Sequence, residues 1–301
     1  MHRFLVSKGQ VPRPLLGVLQ RTFPAVSREL WMASFRRRKV YVNDFPGNAG
    51  YLVEGNDAIR IDLPEATLRG IPKIEILAEC DEFAIIDKPP GLPVMTQDTK
   101  GGRMNIQAAL EYYAGEGQLP AMVPCHRLDV YTGGTLLCAK NPRAQEACKA
   151  WFAPVTMDRE YNAVLVGRMP AQMVCVDYAR KDAAKALTVI VKSGTPGARQ
   201  MRLTAQVLDY AQGLSLAHIC LQTGRTHQIR VQLSHRGYPV LGDDKYGVWS
   251  VNAANGLRAP ALWHTRLALH NLPAPYAHLD GFGAESQPRF PAKVRNLFDL
   301  L

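Results

Sequence analysis

Several things are missing from this 301-residue chain, and each absence removes a class of protein. No apolar run approaches the roughly 18 residues that a membrane-spanning helix needs. The N-terminus, Met1-His2-Arg3-Phe4-Leu5-Val6-Ser7-Lys8, lacks the apolar core of a secretion signal, which predicts a cytoplasmic location. The six cysteines, at 80, 125, 138, 148, 175 and 220, form no Cys-x-x-Cys pair and no close Cys/His cluster of zinc-site type. Reduced thiols and no structural metal are the expectation. Repeats and low-complexity tracts are absent as well.

Acidic residues are scarce where the chain begins. Residues 1–40 carry nine basic side chains (Arg3, Lys8, Arg13, Arg21, Arg28, Arg36, Arg37, Arg38, Lys39) against the single acid Glu29, which makes +8 of the net +10. Clustered Lys and Arg release counterions from phosphates, so a polyanionic partner is expected. Arg36-Arg37-Arg38-Lys39 runs straight into Val40-Tyr41-Val42-Asn43, a segment with strand character. A basic helix end feeding a small sheet is a surface suited to RNA phosphate; a solvated face that aids solubility is the bland alternative.

With 47% hydrophobic residues the chain can bury a large core, and its length suits about two domains. The texture changes near residue 75, which predicts a small α+β module over 1–72 and a larger domain over 73–301. In the module, Leu15, Leu16, Val18 and Leu19 begin a helix, Ser27 opens a second, and Val40–Val42 and Ala58–Ile61 read as strands. Beyond it, Phe83–Asp87, Thr135–Ala139, Tyr161–Val166 and the pair Leu203–Leu208 with Leu214–Leu221 are predicted strands, and a helix follows Pro142. The class is α+β, with a mixed, largely antiparallel β-sheet and flanking helices.

The densest chemistry lies in Cys125-His126-Arg127-Leu128-Asp129-Val130-Tyr131-Thr132-Gly133-Gly134. A base, a guanidinium and a carboxylate within four residues, broken by two glycines, suit a loop that carries chemistry, or a surface turn capped by Asp129. A second dense segment, Thr223-Gly224-Arg225-Thr226-His227-Gln228-Ile229-Arg230, places Thr226 as a helix cap. Arg225, His227 and Arg230 would then form an anion-friendly corner at the helix start. Leu241-Gly242-Asp243-Asp244-Lys245-Tyr246-Gly247 reads as an architectural glycine-bounded loop.

Taken together, His126-Arg127-Leu128-Asp129 with Thr132-Gly133-Gly134, Arg159-Glu160-Tyr161, Gly224 to Arg230, and Gly242-Asp243 before Tyr246-Gly247 resemble the RluA-type pseudouridine synthases, in that family's order over roughly residues 75 to 275. Lys88-Pro89-Pro90-Gly91 resembles the turn that precedes the family's catalytic loop. The segment from the basic helix to Gly55-Asn56-Asp57 resembles the RNA-binding module named after ribosomal protein S-four, with Asn56 inserted between the usual glycine and aspartate.

The resemblance implies conversion of uridine to pseudouridine in structured RNA, ribosomal RNA favoured and transfer RNA possible, with no cofactor and no metal. It implies Asp129 as the essential residue, Arg230 as its partner, Tyr161 as the ring that stacks on uracil, and Arg127 as the side chain that replaces the flipped base. His126, Arg225 and His227, with Arg36, Arg37, Arg38 and Lys39, are the remaining RNA-contact candidates. Val130, Tyr131 and Gly133 depart from the family's charged pair and serine, which bears on substrate choice. A monomer without an obligate protein partner is the default.

Chemistry supports these roles on its own terms, because a carboxylate kept ionised by an arginine can act as nucleophile or base at the sugar. Two other readings stand beside this one. A non-catalytic RNA-binding or ribosome-assembly protein could keep the scaffold, and a nucleoside or glycoside hydrolase would need a second carboxylate, for which Glu160 or Asp243 are available.

Overall fold

Leu15 and Leu19 stand one helical turn apart, and both are fully buried beside Trp31, Val40, Ile59 and Ile61. They anchor the first of two units, Met1–Lys73, in a computed structural model that describes residues 1–8, 11–96, 104–151, 156–182 and 186–298. Its elements are β1 (His2–Leu5), β2 (Arg13–Pro14), α1 (Leu15–Thr22), α2 (Arg28–Arg36), β3 (Val40–Val42), β4 (Phe45–Pro46), β5 (Leu52–Val53), β6 (Ala58–Ile61) and α3 (Glu65–Leu68). Strands order as β1-β6-β3-β4, all antiparallel, with β2 and β5 paired apart.

Ser27 caps α2 by accepting from the Leu30 N–H at 3.2 Å, as its place in the sequence predicts. At the other end of α2, Arg38 takes a left-handed φ of 51°, turning the chain into β3, and Arg36, Arg37, Arg38 and Lys39 are all exposed. The inserted Asn56 adopts φ 78° in a turn held by Asp57, which accepts from the Glu54 N–H at 2.9 Å and the Asn43 amide at 2.7 Å. Asn is among the few side chains that tolerate this conformation.

The second unit, Ile74–Leu301, is built on one mixed sheet. Its strands are β7 (Glu75–Glu79), β8 (Phe83–Lys88), β9 (Val123–Pro124), β10 (Gly133–Ala139), β11 (Met157–Val166), β12 (Gln172–Asp182), β13 (Leu187–Val191), β14 (Arg199–Ala211), β15 (Leu214–Leu221), β16 (Leu262–Leu269) and β17 (Gly283–Glu285). Helices α4 (Ile106–Gly115), α5 (Pro142–Trp151), α6 (Gln228–His235), α7 (Trp249–Ala254) and α8 (Ala292–Leu297) flank it. The order is β13-β12-β14-β15-β11-β16-β10-β8-β7, antiparallel throughout except for β10 beside β16. Strands β8 and β10 are buried at every residue, so both faces of the sheet are covered there.

The β14–β15 hairpin turns through Gln212 and Gly213, at φ 48° and 79°, the paired left-handed residues of a tight hairpin turn. Strand β14 is longer than Leu203–Leu208 because a bulge between Val207 and Asp209 carries pairing onward to Ala211. The β12–β13 hairpin has no counterpart in the sequence reading, since most of β12 is exposed or half-buried and no clean alternation marks it. No described helix is long and apolar enough to cross a membrane.

Candidate active site

Strand β10 begins with two glycines because nothing larger fits beside β16. A Cβ on Gly133 would lie 2.5 Å from the Trp263 ring, and one on Gly134, at φ 109°, would fall on the His264 carbonyl oxygen. The loop before them is therefore delivered to the parallel junction of β10 with β16, and Trp263 occupies the space that a side chain at 133 would need.

That loop is tied down on both sides. His126 Nε2 accepts from the Leu137 N–H at 3.0 Å, and burial, with His264 nearby, holds the ring neutral, well below the usual histidine range. Lys88, fully buried, donates from Nζ to the carbonyls of Pro89, Val130 and Thr132 at 3.0, 3.1 and 2.8 Å. Its three donors thus grip the backbone on either side of Tyr131. Burial pushes Lys88 down to about 7, against the attraction of Asp129. Between these fixed points Asp129 is half-buried, while Arg127, Val130 and Tyr131 are exposed at the loop's tip.

Arg230 rises from α6 and spends its guanidinium on three carboxylates. Nη1 donates to Asp129 Oδ2 at 3.1 Å, Nε and Nη2 donate to Asp243 at 2.7 and 2.8 Å, and Nη2 reaches Asp244 at 3.1 Å. Burial opposes its charge, but the hydrogen bonds and charge of Asp243, and then Asp129, hold it protonated beyond the ordinary arginine range. Asp243, although buried, is held below the usual carboxylate range by Arg230. It also accepts from the N–H groups of Lys245 and Tyr246 at 2.8 and 2.9 Å, so the glycine-bounded loop is the clamp that aims Arg230 at Asp129.

Tyr161, on β11, stacks on His264 with ring centroids 4.3 Å apart. Burial raises its hydroxyl far above the usual tyrosine range, so it stays protonated. His264 Nδ1 lies 2.6 Å from the Thr135 carbonyl and must donate to it; burial pushes the ring down to about 3, and Nε2 has no partner among the described residues.

The structure brings Asp129 and Arg230 into contact and sets Tyr161 close enough for the Asp129 charge to act on its hydroxyl. The expected anion-friendly corner is different. Thr226 is not the cap of α6: His227 occupies that position at φ 54°, with no side-chain cap bond, and Gln228 Oε1 accepts instead from the Arg225 N–H at 3.0 Å and the Thr223 hydroxyl at 2.8 Å. Arg230 faces carboxylates, and His227 Nδ1 is 3.0 Å from the Tyr246 hydroxyl, which leaves Arg225 as the exposed cation of that corner. Glu160 points away, its carboxylate bound by Arg266 at 2.6 Å, and Asp243 is consumed by Arg230. The two further carboxylates that a hydrolase could have drawn on are thus both engaged by arginines. His264 was not singled out by the sequence; the Lys-Pro-Pro-Gly turn marked Lys88, and Asp244 and Tyr246 lie in the glycine-bounded loop that was read as architectural.

One loop carboxylate, aimed by a helix arginine and accompanied by a strand tyrosine on a mixed sheet, sets this chain among the pseudouridine synthases by class. The fold agrees: the structure titled "Human RNA Pseudouridylate Synthase Domain Containing 4" matches with a TM-score of 0.60 and 24% identity, covering 75% of this chain and 94% of that one. A profile of the RNA pseudouridylate synthase family matches residues 82–235, from the start of β8 to the end of α6, and the chain belongs to that family.

Among its relatives is the "Ribosomal large subunit pseudouridine synthase D" of Nitrosomonas europaea, 30% identical over 79% of this chain and 71% of that protein. Another is the "tRNA pseudouridine(32) synthase, mitochondrial" of Saccharomyces cerevisiae, 28% identical over 82% of this chain but only 54% of its own length. This chain thus spans about half of the yeast protein.

Proposed function

We propose that this protein isomerises specific uridines to pseudouridine in structured RNA, with Asp129 as the catalytic carboxylate. The observation that carries this reading is the 3.1 Å contact of Asp129 with Arg230, inside a chain of this family. The arginine fixes the direction of the carboxylate through that contact, and a directed carboxylate is what attack at C1′ or removal of a sugar proton needs.

Arg127, exposed at the loop tip, fills the gap left by the extruded base, and Tyr131 beside it offers an aromatic face to a neighbouring base. Tyr161 supports the detached uracil on the ring face away from His264. His126 orients the loop through the Leu137 amide. Phosphates are met by Arg225 and by the exposed Arg36, Arg37, Arg38 and Lys39 of the first unit, which acts as an RNA-binding module of S-four type. Ribosomal RNA is the favoured substrate, supported by the bacterial relative and by that module, and transfer RNA is the alternative. The protein works in the cytoplasm as a monomer, without cofactor or metal.

The test is tritium release from RNA labelled at C5 of uridine, on ribosomal and transfer RNA transcripts. Wild type releases tritium with pseudouridine retained in the chain, while Asp129→Asn releases none and binds RNA within about twofold of wild type. An inert wild type with tight, salt-sensitive binding would move the assignment to a binding protein; free uracil in place of pseudouridine would revive a hydrolase.

A further inference from the structure

Arg159 is the anomaly of the site. It is buried to 6% exposure, almost as deeply as Arg230, yet it has no ion pair with any described carboxylate, and its Nε has no hydrogen-bond partner there. The acids on either side of it, Asp158 and Glu160, project from the opposite face of β11 and pair with Arg266 at 3.3 and 2.6 Å. An uncompensated guanidinium in the interior is a standing cost to stability, and burial accordingly pulls Arg159 below the ordinary arginine range.

The surroundings are nevertheless shaped around this cation. Arg159 and Tyr161 alternate onto the same buried face of β11, close enough for the arginine's charge to act on the tyrosine hydroxyl. On the far side lies Gly224, where an added Cβ would come within 2.5 Å of Arg159 Nη1. A glycine at 224 therefore leaves the room that the guanidinium occupies. The guanidinium is thus held in place without an ion pair to any described carboxylate, on the strand face that carries the ring assigned to the uracil.

We propose that Arg159 is a catalytic residue whose guanidinium receives the negative charge of the detached uracil. The inference rests on the isomerase reading above. When the C1′–N1 bond breaks, its electron pair passes to N1 and spreads to O2 and O4, so the free base is an anion. C5 then bonds to C1′, the C5 proton leaves to water, and N1 takes up a proton. Substrate and product are isomers, and no oxidant or reductant enters. A fixed cation beside this anion stabilises the bond-breaking transition state more than the neutral bound uridine, which is the condition for acceleration. It also holds the base against escape while it turns.

A backbone phosphate is the other anion that RNA offers, and depth argues against it. Phosphates remain hydrated at the surface of a bound strand, where Arg127 and Arg225 stand exposed. A small planar base that has left the strand can follow Tyr161 inward. Arg230 is already committed to Asp129, Asp243 and Asp244, so the two buried arginines divide the work, one for the carboxylate and one for the leaving base.

The test uses the full chain with Arg159→Met and Arg159→Lys, in single-turnover reactions on RNA carrying uridine or 5-fluorouridine at the target. Loss of the N-linked nucleoside after digestion is the readout. Because Met removes an unpaired buried charge at similar volume, Arg159→Met is expected to melt at or above the wild-type temperature. It should bind RNA within about twofold of wild type and slow the reaction on uridine roughly 100- to 1,000-fold. Arg159→Lys should recover part of that loss. Fluorine stabilises the departing anion, so the deficit of Arg159→Met should shrink at least about tenfold on 5-fluorouridine. Weakened binding with a reduced salt slope and an unchanged rate would make Arg159 a phosphate contact and overturn the proposal. So would an equal deficit on both nucleotides. An inert wild type would overturn the isomerase reading and this one with it, whereas an active wild type with an equally active Arg159→Met would overturn this one alone.

Discussion

Asp129 and Arg230 are 101 residues apart in the chain and meet at 3.1 Å, with Asp243 gripping the other edge of the same guanidinium. Arg230 is thereby neutralised twice over before any substrate arrives. Its guanidinium is taken up by carboxylates, and the contact holds the Asp129 side chain in one orientation.

Replacing Asp243 by alanine removes a fully buried carboxylate and leaves Arg230 without its bidentate partner. Breaking a buried pair from one side typically costs about 3–5 kcal/mol. Asp243→Ala should therefore lower the urea midpoint strongly and lose activity, through the loosened Arg230 rather than through a lost surface charge. An unchanged midpoint would sink the clamp role.

Gly134→Ala places a methyl on the His264 carbonyl at a φ of 109°, so the parallel β10–β16 junction must open. A loss above about 2 kcal/mol is expected in denaturant melts. Gly115→Ala, at the end of α4 with open space around it, is the matched control and should gain up to about 1 kcal/mol. Equal behaviour of the two variants would refute the close approach.

Arg225→Ala should weaken RNA binding across sequences and lower the slope of log K against log salt by about 1, as one lost phosphate contact predicts. Titrations at several salt concentrations decide it. Gln228→Ala disturbs the same corner by freeing the Arg225 N–H and the Thr223 hydroxyl.

Lys88 gives the protein a pH signature. Its folded value of about 7 lies below the ordinary 10.5, so between those pH values the unfolded chain holds a proton that the folded chain has shed. Unfolding then takes up a proton, and stability rises with pH across that window; below about 7 both states are protonated and the contribution is flat. Urea unfolding from pH 6.5 to 9 should show wild type gaining on Lys88→Met as pH rises. A difference that falls with pH would contradict the assignment.

The local features were legible in the residues themselves. Ser27 announces its helix, the pair Leu203–Leu208 and Leu214–Leu221 their strands, and the four basic residues at 36–39 their exposure, because caps, apolar runs and charge obey rules that act over a few positions. Asp129, Arg127, Tyr161 and Arg230 could be singled out because a motif order marks them. Thr226 misled for the same local reason: it has the chemistry of a cap, but the Thr188 hydroxyl claims its carbonyl at 2.9 Å and the chain starts α6 through a left-handed His227.

What only the tertiary structure decided are the relationships that no spacing encodes. Lys88 became a loop anchor because β8 and β10 are neighbours, and Gly133 suits its position because a tryptophan 130 residues later fills the space beside it. Asp243 turned from an architectural residue into the partner of Arg230, and Arg159 was left buried without an ion pair to any described carboxylate. Sequence determines which side chains can carry charge, cap or turn. Whether a charge ends up paired, aimed or alone depends on which strands become adjacent, since ionic and hydrogen-bond energies are set by distance and burial in the folded chain.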